Sequence, residues 1–168
     1  MPDTNKGERV RRGWESFTFR LAGADDVETL ARTRVEFMAD VNKDMADELK
    51  ADLYERNVEY FTEAFREDSF SAYLAFDGER LAATSGVTYY KTPPNKRNRT
   101  GMTAYISNMY TRAEYRGNGL ATRLFEMTME DARRRGCNKA VLAATEMGRP
   151  IYEKYGFFTP DGVMEYYL

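Results

Sequence analysis

The segment Tyr110-Thr111-Arg112-Ala113-Glu114-Tyr115-Arg116-Gly117-Asn118-Gly119-Leu120-Ala121-Thr122 decides the fold. An apolar strand pattern runs into a turn with two glycines, and the turn opens an amphipathic helix. The first-turn N–H groups of a helix have no partner inside it and carry the positive end of the helix dipole. Glycine lets the backbone approach a ligand closely. Together these predict an anion site at residues 116–122, suited to a pyrophosphate. Arg116 and Arg123 add positive charge. A Walker A loop would need Gly-Lys-Ser/Thr after four spacers, and no lysine is present. A dinucleotide fingerprint would need a third Gly or Ala where Thr122 stands. The two glycines alone leave open a bare helix start with no ligand.

Working outward, Met102–Thr111 reads as the strand feeding this loop. The helix runs from Leu120 to about Arg135, with Leu120, Leu124, Phe125, Thr128 and Ala132 at helical spacing and Gly136 as its stop. Phe17, Phe19 and Leu21 alternate as a first strand. Asp25 and Glu28 read as a capping box ahead of a helix through Val27, Leu30, Ala31, Val35, Met38 and Val41. A second helix spans about Asp44 to Arg66, with Met45, Leu49, Leu53, Phe61 and Phe65 on one side. Phe70–Phe76 and Leu81–Tyr90 form a hairpin about Asp77-Gly78. Residues 91–100, with Pro93-Pro94, form a loop that is either a solvated connection or a flap over a ligand. Lys139–Ala144 reads as a buried strand and Glu146–Tyr155 as a short helix. Phe157–Thr159 and Val163–Leu168 read as a terminal hairpin around Pro160-Asp161-Gly162. The expected architecture is an α/β mixed sheet of about seven strands with helices on both faces.

Arg116-Gly117-Asn118-Gly119-Leu120-Ala121 resembles the Gln/Arg-x-x-Gly-x-Gly/Ala signature of the GNAT superfamily of N-acyltransferases. Asn108-Met109-Tyr110-Thr111 and Tyr115 look like that family's strand and approach loop. Gly148-Arg149-Pro150-Ile151-Tyr152-Glu153-Lys154-Tyr155-Gly156-Phe157 resembles its Leu-Tyr-Glu-Lys-x-Gly-Phe element. The resemblance covers residues 17–168 and is strongest over 102–160. It implies splayed fourth and fifth strands with acetyl-CoA in the gap. Pantetheine would pair with Met109, Tyr110 and Thr111, and the pyrophosphate would lie on the N–H groups of 116–121, with Thr122 completing the loop. A backbone N–H of Met109 or Tyr110 would be the oxyanion donor, and Tyr152 the acid for the departing thiolate, with Tyr155 as fallback. Thr145 and Gly148 stand where many members have Asn and Ala. Thr145 then either contacts the cofactor or caps the helix, and Arg149 is either a CoA phosphate contact or a solvated side chain.

The reaction so implied is transfer of acetyl to a primary amine by direct attack in a ternary complex. A non-catalytic acyl-CoA-binding regulatory module is the alternative. No motif assigns a base; Glu36, Asp40 and Glu146 are candidates, each more often a surface carboxylate. Histidine is absent, which excludes Ser-His-Asp and Cys-His mechanisms and His-ligated metals. No metal spacing is present. The single Cys137 excludes an internal disulfide and fits a cytoplasmic location; it follows a helix end, which disfavours an acyl-cysteine route. Residues 1–14, with Lys6, Arg9, Arg11 and Arg12, read as a flexible tail, and 15–168 as one domain. No apolar run suggests a signal peptide or membrane span. Residues 25–68 carry fourteen acidic and six basic side chains, whereas 69–168 carry ten and fourteen. The acidic part is either a solvated face or an attractor for a cationic small-molecule or peptide amine. RNA binding through Lys91–Arg99 lacks stacking aromatics beside the charges. Surface tyrosines and methionines allow a homodimer.

Overall fold

The computed structural model describes residues 12–168. The predicted tail at residues 1–11 lies outside them. Arg12, Gly13 and Trp14, expected in that tail, are placed against the domain. A 3-10 turn at Trp14–Ser16 leads into β1 (Thr18–Leu21). There follow α1 (Val27–Val41), α2 (Asp47–Arg66), β2 (Phe70–Asp77), β3 (Arg80–Lys91) and β4 (Met102–Thr111). The chain continues through α3 (Leu120–Arg134), β5 (Lys139–Leu142) and α4 (Arg149–Tyr155). The sheet order is β1-β2-β3-β4-β5. The first four strands are antiparallel neighbours and β5 lies parallel to β4.

The sheet is mixed, as expected, but among the described residues it has five strands rather than about seven. The turn at Asp161-Gly162 forms, yet 157–159 and 163–168 are not strands. Pro160 has no N–H to give a ladder. Val163, Met164, Tyr166, Tyr167 and Leu168 are all exposed, so the run has no buried face to fix a register. β5 also stops at Leu142 instead of Ala144, and α4 begins at Arg149, with residues 146–148 forming a turn.

Alternation along β2 divides the core between the two sheet faces. Phe70, Ala72 and Leu74 meet Leu30 and Ala31 of α1 and Phe61 and Ala64 of α2. Tyr73 and Ala75 meet Leu120 and Leu124 of α3. Val87, Ala104 and Ile106 pack with Phe125, Ala132 and Tyr152. The chain enters α1 through a different box from the one expected: Gly23 N–H donates to Asp26 Oδ2 at 2.9 Å, while Arg20 grips both Asp26 oxygens at 2.7 Å. Arg20 and then that backbone donor hold the Asp26 carboxyl below its ordinary range.

Two irregularities in β4 shape the site. The β3–β4 register passes from Thr84↔Tyr110 to Gly86↔Ser107, so two β4 residues, Asn108 and Met109, oppose Ser85. Asn108 takes φ 51 there. Gly86 leaves the bulge its space: a Cβ on it would lie 2.8 Å from Phe70 Cζ and 3.3 Å from Asn108 Cβ. Secondly, β4 and β5 pair only from Thr103↔Lys139 to Ile106↔Leu142. Beyond Ile106 the two strands part, and the rim of β4 from Ser107 to Thr111 has no strand on that side. The splay expected between the fourth and fifth strands is present.

Candidate active site

The gap between the parted strands is a cleft of about 810 Å³. One wall is Ser107–Thr111 of β4; the other includes Leu142, Ala143, Thr145, Gly148 and Tyr152. Its floor is Arg116, Gly117, Gly119, Leu120, Ala121 and Thr122. Met109, Tyr110, Thr111, Thr145 and Tyr152 are therefore brought together with the loop, as expected.

The loop has the form an anion site needs. Gly117 and Gly119 take φ 82 and φ 78, left-handed conformations that glycine adopts without a Cβ penalty. Gly119 precedes α3; among the described residues no side chain caps that helix, and no acidic residue occupies its first turn. The leading N–H groups are thus left for an external acceptor.

Asn118 differs from its neighbours. Its Nδ2 donates to Tyr115 O at 2.8 Å, and its Oδ1 accepts Arg12 N–H at 3.0 Å. It braces the loop from behind and is not part of the cleft wall. Arg123 also turns away, stacking on the Trp14 ring at 5.1 Å. Arg149 is exposed, lies outside the cleft wall and stands 3.6 Å from Glu153. Thr145 Oγ1 accepts Gly148 N–H at 3.2 Å, shaping the turn into α4.

Tyr152 is 7% exposed. Phe125 meets its ring edge-on at 5.2 Å, and Phe157 sits 6.2 Å away. Its hydroxyl makes no hydrogen bond among the described residues, although the ring lines the cleft. Burial pushes this phenol above its ordinary pKa. The fallback Tyr155 is committed elsewhere: its hydroxyl accepts from Arg133 at 2.6 Å, and it lies outside the cleft wall. Burial likewise raises the Cys137 thiol, which keeps it in its unreactive form.

Of the three candidate carboxylates, only Asp40 lines the cleft. It accepts from Tyr110 Oη at 3.1 Å and from Arg116 at 3.2 Å. Burial and then this bond push the Tyr110 hydroxyl up to about 12. Glu36 is held by Arg112 at 3.2 Å, and Glu146 is exposed. Arg34 and Lys43, which the sequence reading did not single out, also line the cleft. Lys43 and Arg116 outnumber Asp40 on its wall, a cationic balance that suits a polyphosphate guest. The only signal for them was position on the face of α1 and in the connection after it. No residue of 91–100 lines the cleft; Thr100, which donates to Gly136 O and Asn138 Oδ1, ties the end of that loop to the α3–β5 turn at the far end of β4.

Residues 18–159 match the acetyltransferase (GNAT) domain family. The chain is similar to N-alpha-acetyltransferase 30 of Schizosaccharomyces pombe, 29% identical over 131 residues that cover 76% of this chain and 79% of that one. Among solved structures it resembles a predicted acetyltransferase from Clostridium acetobutylicum, determined with acetyl-CoA. The TM-score is 0.81 and the identity 29%, over 90% of this chain and 96% of that one. A GCN5-related N-acetyltransferase from Ralstonia eutropha JMP134 shares the fold at a TM-score of 0.80 and 23% identity, over 90% and 98% of the two chains. Among the described residues no helix is long and apolar enough to cross a membrane. A split sheet, an uncapped two-glycine helix start in the split and a family match across nearly the whole domain converge: the chain belongs to the GNAT family and is an acetyltransferase.

Proposed function

We propose that this enzyme moves an acetyl group from acetyl-CoA to a primary amine by direct attack in a ternary complex. The observation that carries the reading is the continuity of the unpaired β4 rim with the uncapped start of α3. An arm containing amides can pair with Met109–Thr111, as an added strand would. A pyrophosphate can then accept from the N–H groups of 116–121, with Arg116 and Lys43 supplying countercharge. The residues therefore fit the co-substrate on both its amide and its phosphate chemistry.

The chain's own groups then have defined tasks. A backbone N–H at Met109 or Tyr110 meets negative charge on the carbonyl oxygen as the amine adds. The carbon–sulfur bond breaks as the amide carbon–nitrogen bond forms. Tyr152 gives its proton to the departing sulfur, whose free thiol has a pKa of about 8.5. The proton lost by the amine goes to Asp40 or to solvent, so the products are an N-acetyl amide and a thiol. Calorimetry with acetyl-CoA and a thiol-release assay test this. Binding at micromolar levels with amine-dependent thiol release is expected; no heat from acetyl-CoA removes the reading.

A further inference from the structure

Beside the cleft lies a second cavity, of about 380 Å³, between α1, α2, β3 and β4. It shares Arg34, Tyr105, Ser107 and Asn108 with the first, so the two meet at the β4 bulge. Tyr60, Phe61, Tyr90 and Tyr105 give it aromatic walls. Among the described residues no carboxylate lines it, and Arg34 is the only charged one that does. Arg34 makes no ion pair among the described residues; its NH1 donates to Asn108 Oδ1 at 2.9 Å. A guanidinium only donates, so this bond fixes the orientation of the Asn108 amide. The other amide atom, Nδ2, is buried without a partner, in a residue only 3% exposed. An unmet buried donor is destabilising unless something accepts from it. The acidic residues of α2 do not answer it: Asp47, Glu48, Asp52, Glu55, Glu59 and Glu63 are all exposed, and none of them lines either cavity.

We propose that the second cavity receives the acceptor amine and that Arg34, oriented by Asn108, binds an oxyanion on it. This rests on the acetyl-transfer reading of the first cleft. The acceptor class is then an amine that carries a carboxylate or phosphate, with an apolar or aromatic body, and not a polycation. The reason is charge: an ammonium-rich chain would meet a guanidinium and unpaired N–H donors with no carboxylate to receive it. The bulge places this donor pair at the junction of the cavities, so an oxyanion held there leaves a nearby amine on the side of the thioester.

The test compares matched amines that differ in one oxyanion group: L-tyrosine against tyramine, and phosphoethanolamine against ethanolamine, with spermidine as the polycation. At least one oxyanion-bearing member is expected to exceed its partner in kcat/KM by about tenfold or more, the scale of one charge-assisted hydrogen bond. The pair that responds distinguishes carboxylate from phosphate. In Arg34→Met the advantage is lost, and Arg34→Lys restores part of it. Calorimetry with N-acetyl-L-tyrosine or N-acetylphosphoethanolamine, matching the responding pair, reports the same order without turnover. Spermidine or the decarboxylated amines performing as well as their partners overturns the inference, as does loss of acetyl-CoA affinity in Arg34→Met. No heat from acetyl-CoA in the wild type is a different failure, because it removes the reading of the first cleft.

Discussion

A phenol serves as an acid only while it keeps its proton, and burial at Tyr152 raises the pH at which that proton is lost. The acid form is thus present throughout the neutral range. Tyr152→Phe is expected to lower kcat by about 100-fold or more while leaving the acetyl-CoA dissociation constant nearly unchanged. The sign of the pH effect follows from the raised pKa. In the wild type the alkaline fall in kcat begins above the ordinary tyrosine value of about 10, and in the variant that limb is absent. A stopped-flow thiol assay from pH 7 to 11 reads both. At this scale the sequence was informative where a motif fixed the position, as at Tyr152 and Gly119. It gave no role to Arg34 or to the Asn108 side chain, because their meeting depends on a bulge and on a contact seventy-four residues apart in sequence. It put the main chain at Asn118 in the anion site and said nothing of the side chain, which holds the loop from behind.

Elements carry the second level of prediction. The start of α3 works because Gly119 holds φ 78, and an added Cβ there would also sit 3.4 Å from Trp14 Cδ1. Gly119→Ala is expected to cost about 1–2 kcal/mol through the left-handed penalty. Acetyl-CoA affinity should fall by about fivefold for each 1 kcal/mol that the strain takes from binding. Denaturant titration and calorimetry separate the two losses. An unchanged affinity would mean that these N–H groups do not hold the phosphates. The helices and β2–β4 were legible because their periodicities are long and end in strong stop signals. The terminal hairpin was misread for a physical reason: the apolar residues of 163–168 match strand propensity, but propensity does not supply a neighbour. Residues 91–100 carried turn signals that marked a loop, while its anchorage on Gly136 and Asn138 lay in contacts distant in sequence.

Across the whole molecule, burial raises the hydroxyl pKa of Tyr73, Tyr89, Tyr110 and Tyr152 together. Each keeps its proton in the folded state after an unfolded tyrosine has lost it. Their contribution to stability is full below about pH 10 and is lost as pH rises through the folded values, the one at Tyr110 being about 12. The thermal midpoint is therefore expected to hold between pH 7 and 9 and to fall steeply above 10, and Tyr110→Phe should make that fall shallower. A flat midpoint to pH 11.5 would contradict the burial assigned to these rings. The mixed architecture was readable because every long element agreed with it; the strand count failed at the terminal hairpin, whose second limb, 163–168, is exposed along its length. One practical consequence follows from the hydrogen bond between Arg12 N–H and Asn118. An alteration made directly ahead of residue 12 is therefore expected to reach the turn proposed to take the diphosphate through a single main-chain amide, with no side chain of the pocket altered.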